Sequence, residues 1–374
     1  MQETLLNIKK ISALESLRGI AALIIVLYHL PSDWSQILGH GNWRNNGYYM
    51  VDLFFVISGF VIEKAYGKNI NNYSDLLKFQ FLRFGRLYPI HILCLIIFIS
   101  YTATPFFETN WNGLLQNLFL VQAIGPTGNA YSFNAQAWSI SVEFYVYILF
   151  GVITIHFKNT LNLYIFLAAS SLIILILPSI SSMLENTLSG WFELLRCIAG
   201  FTIGAIIAKI DVCKSKWINF LFTITGITSI IFILLSKDND FFKVFIYFSS
   251  AMLVFFLASP NFELFKKFLC LKPLIFLGEI SYTLYMIHWL VIYPFDNPEL
   301  FDAHFKGRIE YLLNINFSNS PSLLYYYFPF KLVLFFSALF LFSKLAYELI
   351  EKPCRKWSRN KLGAKPLPQI INKI

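Results

Sequence analysis

Two ionisable side chains, Arg18 and His29, lie eleven residues apart in one apolar segment of the chain. At about 100° per residue, eleven residues of α-helix return to within roughly 20° of the starting direction, so both side chains project from one helix face, about 16 Å apart along the axis. An ionisable group inside a membrane span costs several kcal/mol unless it faces a polar cavity or a partner. The pair therefore predicts a polar route across the bilayer, with a cation at one depth and an imidazole at another.

Four further ionisable residues are predicted to lie at the depth of His29, in the outer parts of their segments: Asp52, Glu143, Arg196 and His288. Opposite charges at one depth can pair, which makes their burial tolerable. In the structural alternative, Arg18 snorkels at a helix end and His29 is a core histidine with a hydrogen-bond partner. That alternative accounts for the first segment but not for the shared depth of the other residues.

The opposite level is cationic. Arg83 and Arg86 immediately precede a predicted span in the run F-L-R-F-G-R-L-Y-P, and Arg18 marks the same end of the first span. Arginines at i and i+3 present two guanidiniums from one helix face, which suits phosphate, although arginines beside a span are also ordinary topogenic charge. A pantetheine arm reaches on the order of 15 to 20 Å, close to the helical rise between Arg18 and His29. A nucleotide thioester could leave its phosphates on these arginines and present its acyl group near the histidine.

Membrane-spanning helices must position these residues. Hydrophobic residues make up 57% of the 374 residues, charged residues only 14%, and the mean hydropathy is +0.59, which excludes an ordinary soluble domain. We expect an all-α polytopic membrane protein with ten spans, each able to cross about 30 Å of hydrocarbon. The predicted spans are 17–36, 48–66, 87–104, 137–156, 161–178, 190–209, 217–236, 242–259, 274–294 and 325–347. The segment 112–124 is short and bounded by glycine and proline, which favours an interfacial or re-entrant element.

Basic residues predict the orientation. With the N-terminus inside, most lysines and arginines fall in cytoplasmic segments, so both termini are predicted to be cytoplasmic. Residues 1–355 then form the membrane domain, and 356–374 form a short basic cytoplasmic tail. This topology accounts for the net charge of +9 without a nucleic-acid partner, and it leaves no cysteine pair in an oxidising compartment.

Sequence signals for several other chemistries are missing. No two histidines and no two cysteines have the i, i+3 or i, i+4 spacing of a metal site, so we expect no metal. Glycine-rich phosphate loops of the Walker or dinucleotide type do not occur, nor does a G-x-S-x-G nucleophile motif. A soluble-type serine hydrolase is therefore not indicated.

Six motifs run nearly from end to end of the chain. They are L-E-S-L-R-G-I-A-A-L from Leu14 with His29 following, Y-M-V-D-L-F-F-V-I-S-G-F from Tyr49, R-x-x-R-L-Y-P from Arg83, A-W-S-I-S-V-E-F from Ala137, I-S-Y-T-L-Y-M-I-H from Ile280, and Y-E-L-I-E-K-P from Tyr347. Each is weak alone, but with all six in order the chain resembles the membrane acyltransferase-3 family, bacterial O-acyltransferases that modify surface polysaccharides.

This resemblance implies a multi-pass enzyme of the bacterial cytoplasmic (inner) membrane that moves an acyl group, commonly acetyl, from cytoplasmic acyl-CoA to a sugar hydroxyl outside. It implies that His29 is catalytic, that Glu143 is essential or nearly so, and that three arginines bind the donor, namely Arg18, Arg83 and Arg86. Supporting or substrate-binding candidates are Trp138, Ser141, Arg196, Tyr285 and His288. Some relatives continue into a hydrolase-like outside domain and this chain does not, so acyl placement is expected within the membrane unit or through a separate protein.

The mechanistic hypothesis is general-base catalysis. His29, partly desolvated and therefore neutral, would accept the proton of a sugar hydroxyl, and Glu143 or Asp52 would orient the ring and stabilise the imidazolium. Arg196 or Trp138 could polarise the thioester carbonyl. The sequence leaves open whether His29 carries the acyl group covalently.

Two alternatives belong to other functional classes. A proton-coupled exporter of a sugar or lipid-linked precursor would also place carboxylates and histidines at mid-depth, and a noncatalytic partner in polysaccharide assembly is the third possibility. Against the exporter stand the lack of an internal repeat and the thioester-length separation of the two charged levels. The expected partners are a glycan or lipid-linked saccharide, membrane lipids and a second copy of the chain, and the sequence does not identify the acceptor sugar.

The predicted topology can be tested with reporter fusions. Fusions after Lys158 and after Glu351 are expected to read cytoplasmic, and fusions within 105–136 and 295–324 are expected to read outside, because basic residues concentrate on the cytoplasmic side. Paired alkaline phosphatase and green fluorescent protein fusions measure both outcomes. An outside reading after Glu351 would contradict the assignment of both charged levels.

Overall fold

The protein is described from a computed structural model over residues 2–31, 34, 41–101, 111–126, 128–176, 190–211, 215–237, 239, 241–258, 263–296 and 321–363. Within these ranges every regular element is a helix, as the apolar composition predicts, and no strand occurs. Parts of the two predicted outside loops, 105–110 and 297–320, and the tail beyond 363 lie outside the described residues.

The helices are named in chain order. They are α1 (Gln2–His29), α2 (Asn42–Asn46), α3 (Met50–Tyr66), α4 (Tyr73–Tyr101), α5 (Trp111–Leu118), α6 (Trp138–His156), α7 (Thr160–Ile176), α8 (Phe192–Lys209), α9 (Lys216–Leu235), α10 (Phe242–Ala258), α11 (Glu263–Leu269), α12 (Lys272–Glu279), α13 (Ser281–Asp296), α14 (Pro321–Ala346) and α15 (Lys352–Lys361). A π-helical turn, Tyr347–Glu351, joins α14 to α15.

Each of the ten predicted spans contains a helix of this multi-pass protein. Five helical segments of the described chain are long and apolar enough to cross a membrane: Ser12–His29, Tyr73–Ser100, Ala135–His156, Trp217–Leu235 and Pro329–Lys361. The bent pair α12 and α13 passes as one further span, and α7 and α10 are apolar but shorter. Helix α3 is not in this set because it has only 17 residues and carries Asp52, Glu63 and Lys64, and α8 is not because it carries Glu193, Arg196 and Lys209. Ten crossings and cytoplasmic termini stay predictions.

Three predicted boundaries differ from the structure. Helix α1 ends at His29 rather than at 36, because Pro31 cannot donate a backbone hydrogen bond to continue it. Helix α4 begins at Tyr73, so Arg83 and Arg86 lie inside the helix and not before it. The predicted span 274–294 is broken near Ile280, where α12 and α13 meet at 71°. The break lies two residues after the point where α12 packs closely against α1. There, a Cβ on Gly278 would lie 2.5 Å from the backbone of Glu15.

The segment 112–124 forms helix α5 followed by turns. Eight residues of α-helix extend only about 12 Å, which is too short to cross a bilayer. Leu120 then adopts a left-handed backbone conformation with φ of 58°. The segment is thus a short element and not an additional crossing helix, as its length and its glycine and proline boundaries predict.

Helices α3 and α8 make the closest backbone contact of the site region. A Cβ on Gly59 would lie 1.9 Å from the carbonyl oxygen of Phe201, and one on Gly204 would lie 2.1 Å from that of Val56. Small residues permit such approach between membrane helices. Gly59 therefore serves helix packing, and the contact fixes the two helices that carry Asp52 and Arg196.

We expect Gly59→Ala to destabilise the protein by roughly 1 to 3 kcal/mol, because the methyl group would overlap a backbone carbonyl that cannot move without shifting α8. Thermal unfolding of detergent-purified protein measures the loss. Gly151→Ala is the matched control, since its methyl group would meet the side-chain end of Leu76, which can rotate away. Equal melting temperatures for the two variants would contradict this account of the helix contact.

Candidate active site

Two histidines from distant parts of the chain are in direct contact. His29 is the last residue of α1, and its Nδ1 lies 2.9 Å from the carbonyl oxygen of Ile25 and 3.2 Å from Nε2 of His288. His288 is fully buried on α13, with Nδ1 2.6 Å from the carbonyl oxygen of Tyr285. The two imidazoles that were predicted to share one depth thus form a pair.

These contacts assign the ring protons of the neutral pair. A carbonyl oxygen only accepts, so His288 Nδ1 carries a proton and its Nε2 is an acceptor. His29 Nδ1 faces that acceptor and the Ile25 carbonyl, so it is the donor. His29 Nε2 therefore keeps its lone pair and has no hydrogen-bond partner among the described residues. This nitrogen is the one available to take a proton.

Aromatic rings surround the pair. The Tyr28 ring meets the His29 ring edge-on with centroids 4.6 Å apart, and the Trp289 ring lies 5.7 Å away on the other helix. The indole Nε1 of Trp289 is buried without a hydrogen-bond partner in the described part of the protein. The site therefore has apolar walls and one unused N–H donor near the imidazoles.

Asp52 on α3 forms an ion pair with Arg196 on α8. The guanidinium Nε and Nη2 donate to the two carboxylate oxygens at 3.1 and 2.9 Å, and the Tyr247 hydroxyl donates to Oδ1 at 2.7 Å. The guanidinium also lies over the Trp138 ring, 4.9 Å from its centroid. Three donors satisfy the carboxylate, so the cluster joins α3, α8 and α10.

Glu143 on α6 binds two hydroxyl groups. Its Oε1 accepts hydrogen bonds from Ser58 Oγ and from Tyr147 Oη, both at 2.6 Å. Ser58 follows Asp52 by six residues on α3, so Glu143 lies about 9 Å deeper along that helix than the Asp52 pair. Glu143 is within electrostatic range of Arg18 and lines the same cavity.

Neither carboxylate is within hydrogen-bond distance of His29, which differs from the hypothesis that Glu143 or Asp52 orients its ring. Each carboxylate has strong donors closer at hand, which are Arg196 and Tyr247 for Asp52 and two hydroxyls for Glu143. The His29 ring is held instead by a backbone carbonyl and by the other histidine. An imidazole can accept where a carboxylate was expected, without adding a buried negative charge.

The other supporting candidates divide between the site and the fold. Tyr285 lies beside His288, with ring centroids 6.0 Å apart, and its hydroxyl accepts from Ser139 Oγ at 2.9 Å. Ser141 is fully buried and donates to the Leu120 carbonyl at 2.6 Å, so it holds the turn after α5. Tyr285 therefore belongs to the site, whereas Ser141 supports the adjoining backbone.

Three arginines gather at the other end of the predicted route. Arg83 and Arg86 are buried on α4, and Arg86 is within electrostatic range of both Arg83 and Arg18. Arg83 Nη2 donates to the Tyr66 hydroxyl at 3.1 Å, while Arg18 and Arg86 make no hydrogen bond to any described residue. The Nε atoms of all three are buried and unpartnered within the described chain. Unpaired buried guanidiniums of this kind are suited to an anionic ligand.

A small cavity lies between the arginines and the histidine pair. It has a volume of about 40 Å³ and is lined by Arg18, Glu143, Phe54, Ser139 and Tyr285, among others. Such a space holds about two or three water molecules. Neither histidine lines it, but Tyr285, whose carbonyl oxygen binds His288, does, so the cavity extends from Arg18 toward the histidine pair.

Several site residues were missed by sequence reasoning. The His29 and His288 contact joins positions 259 residues apart, and no local pattern reports it. Neither Arg355, at the end of the predicted membrane domain, nor Arg359, in the predicted tail, was assigned to the site, although Arg355 pairs with the buried Glu351 at 3.3 Å. The i, i+4 spacing of Glu351 and Arg355 was the available signal. No group of three potential metal ligands occurs in the part of the chain described above.

Comparison with known proteins agrees with the motifs. Residues 11–342 match the family described as an acyltransferase domain, Acyl_transf_3. The chain belongs to this family. The matched region begins before Arg18 and includes the histidine pair, Asp52, Glu143 and the arginines of α4, whereas Glu351, Arg355 and Arg359 lie beyond its end.

Two curated proteins from Staphylococcus aureus are similar to the chain. The O-acetyltransferase OatA of strain NCTC 8325 / PS 47 is 27% identical over 332 residues, which cover 78% of this chain and 52% of OatA. The putative O-acetyltransferase SACOL0978 of strain COL is 25% identical over 407 residues, covering 98% of this chain and 61% of that protein. The chain thus spans about half to three fifths of these relatives' length. No solved structure matches it significantly.

The Asp52 and Arg196 pair is expected to be structural. Asp52→Asn should cost roughly 3 to 5 kcal/mol because it leaves the Arg196 charge buried without a counter-ion, and Arg196→Gln in the same chain should recover part of that loss. Thermal unfolding of both single variants and the double variant measures the coupling. Asp75→Asn, which removes the exposed 3.9 Å pair with Lys78, is the control and should change little. If Asp52→Asn unfolds like the parent but loses activity, Asp52 acts in the chemistry instead.

Proposed function

We propose that the protein is a membrane O-acyltransferase that takes an acyl group, acetyl in the first instance, from cytoplasmic acyl-CoA and transfers it to a hydroxyl of a glycan or lipid-linked saccharide outside. We place it as a multi-pass protein in the bacterial cytoplasmic membrane. The observation that carries the proposal is the arrangement along α1. Buried guanidiniums suited to phosphate lie at one level, and an imidazole with a free lone pair lies about 16 Å away on the same face.

The arginine level is the proposed donor site. Arg83 and Arg86 would bind the diphosphate of CoA. Arg18, which lines the cavity, would bind the donor next to the point where its pantetheine arm enters the cavity. The cavity of about 40 Å³ has no room for that arm, so donor binding is expected to move side chains between Arg18 and Tyr285. Phe54 and Tyr285, whose rings are 5.9 Å apart, are the groups that must separate.

The histidine pair is the proposed catalytic centre. His29 Nε2 would remove the proton of the acceptor hydroxyl while the hydroxyl oxygen attacks the thioester carbonyl carbon. The carbon–sulfur bond then breaks, the acyl group stays on the acceptor oxygen, and the CoA thiolate leaves and takes the proton from His29. His288 would keep the required tautomer by accepting from His29 Nδ1 and would stabilise the imidazolium through the same hydrogen bond. It is a positioning residue in this scheme.

The two carboxylates have separate proposed roles. Glu143 lies with Arg18 on the cavity and would balance its charge along the thioester route. Asp52 would act through Arg196, fixing that guanidinium and the Trp138 ring beneath it. Neither role requires contact with His29. Both roles are consistent with the partners that the two carboxylates have in the structure.

Two histidine variants test the proposal. His29→Ala is expected to lower acetyl transfer by at least about 100-fold, the usual contribution of a general base, with acetyl-CoA affinity unchanged. His288→Phe keeps a ring but removes the acceptor and is expected to lower turnover by about tenfold with the same donor affinity. Isothermal titration of acetyl-CoA and single-turnover release of CoA from radiolabelled acetyl-CoA give the two readouts.

The parent protein should also hydrolyse acetyl-CoA slowly without an acceptor, since water can replace the hydroxyl. An exporter would neither bind nor hydrolyse the thioester. Failure of the parent to bind acetyl-CoA, or near-normal transfer by His29→Ala, would contradict the proposed function. His156→Ala, which changes the exposed partner of Tyr73, is the control histidine and should leave transfer unchanged.

A further inference from the structure

Helix α15 packs against the part of α4 that carries the donor arginines. A Cβ on Gly85 would lie 2.6 Å from Ser358 Oγ, and the rings of Phe81 and Trp357 are 5.5 Å apart. Gly85 lies between Arg83 and Arg86 in the sequence, so this contact brings α15 directly beside the arginine pair. Residues 352–361 of the C-terminal basic segment are therefore part of the site region and not a detached tail.

Two arginines of α15 extend the cation cluster. Arg86 is within electrostatic range of Arg355, and Arg359 is within range of Arg83. The carboxylate in direct contact with the cluster belongs to Glu351, which is buried and pairs with Arg355 at 3.3 Å. The other oxygen of Glu351 is buried without a hydrogen-bond partner.

The burial of Arg83, Arg86 and Arg355 distinguishes them from topogenic charge, which lies in water, while Arg359 is half-buried at the edge of the cluster. The Arg83 and Arg86 residues are 4% and 9% exposed, and the Arg355 side chain is 12% exposed. Like charges this close repel each other strongly in a medium of low dielectric constant. A polyanion with separated charged groups would relieve that repulsion at several positions at once.

The guanidiniums form a series that begins at the cavity and extends away from it. Arg18 lines the cavity and is within range of Arg86, Arg86 is within range of Arg83 and Arg355, and Arg359 is within range of Arg83 and Tyr66. In CoA the diphosphate is attached to the pantetheine arm, while the 3′-phosphate lies on the ribose beyond it. A pantetheine arm that passes Arg18 into the cavity thus puts the diphosphate near Arg86 and Arg83 and the 3′-phosphate toward α15.

We propose that helix α15 forms a second phosphate subsite, in which Arg359, together with Arg355, binds the 3′-phosphate of CoA and makes the enzyme selective for CoA over its 3′-dephospho form. This inference rests on the proposed function, since it assigns the far end of the same donor. It gives the segment 352–361 a role in substrate recognition. A phosphate-bearing lipid headgroup shares this chemistry, and the experiment separates the two sources.

Binding of two thioesters, acetyl-CoA and acetyl-3′-dephospho-CoA, to detergent-purified full-length protein tests the proposal. The parent is expected to bind acetyl-CoA at least tenfold more tightly than the dephospho form. Arg359→Gln is expected to weaken acetyl-CoA binding to the level of the dephospho form while leaving the dephospho affinity unchanged. Arg83→Gln should weaken both ligands, because both carry the diphosphate.

Lys361→Gln is the matched control, since it removes one positive charge from the exposed end of the same helix. It should leave both affinities and their ratio unchanged. A third arm measures binding of the parent and of Arg359→Gln to nanodiscs of phosphatidylcholine with and without phosphatidylglycerol. The two proteins should not differ there if Arg359 binds the nucleotide.

Each outcome decides the inference. An unchanged ratio in Arg359→Gln, or an equal loss for both thioesters, overturns the 3′-phosphate assignment. A ratio near one in the parent, with loss of phosphatidylglycerol binding in Arg359→Gln, assigns the subsite to a lipid headgroup and also overturns it. If neither thioester binds the parent, the proposed donor itself is contradicted, which is a separate result from a failed ratio.

Discussion

Burial of charge inside apolar helices is the constraint on which the rest of this structure depends. Where opposite charges meet, as in Asp52 and Arg196, the pair is bidentate and a tyrosine hydroxyl completes it. Such complete satisfaction is what makes an ion pair tolerable in a low-dielectric interior. The requirement brings α3, α8 and α10 together, and the glycines at the crossing of α3 and α8 let the helices approach closely enough for the charges to pair.

At the arginine level, by contrast, like charges gather and are not each paired with an opposite charge. Five guanidiniums from α1, α4 and α15 share one region, and the carboxylate that contacts them belongs to Glu351. Tyrosine and phenylalanine rings cover some of this charge, as in the contacts of Arg83 with Tyr66 and Phe79. Rings reduce the cost of burial without neutralising the charge. Even with Glu15 and Glu143, which act on Arg18, guanidiniums outnumber carboxylates among the described residues of this region.

Sequence periodicity predicted the features that depend on a single helix. It did not predict the contacts between helices that are distant in sequence. The common face of Arg18 and His29 and the helical identity of the ten spans both follow from local spacing. The partner of His29 does not, because depth alone cannot choose among His288, Glu143 and Asp52. Composition also placed the helix ends wrongly at α1 and α4, since an apolar run shows where lipid is tolerated and not where backbone hydrogen bonding stops. Docking of α15 on α4 involves the close approach of Gly85 and Ser358 and the ring contact of Phe81 and Trp357, which no periodic pattern reveals.

The end of α1 at His29 has an electrostatic consequence of its own. The last carbonyl groups of a helix have no intrahelical donors, and the aligned peptide dipoles place roughly half a negative elementary charge at that terminus. His29 occupies this terminus, and its ring turns back onto the Ile25 carbonyl. A positive charge that appears on the ring during proton transfer would therefore meet the negative pole of a helix 28 residues long. The backbone of α1 supplies, without any acidic side chain, the field that a carboxylate provides in other histidine-based sites.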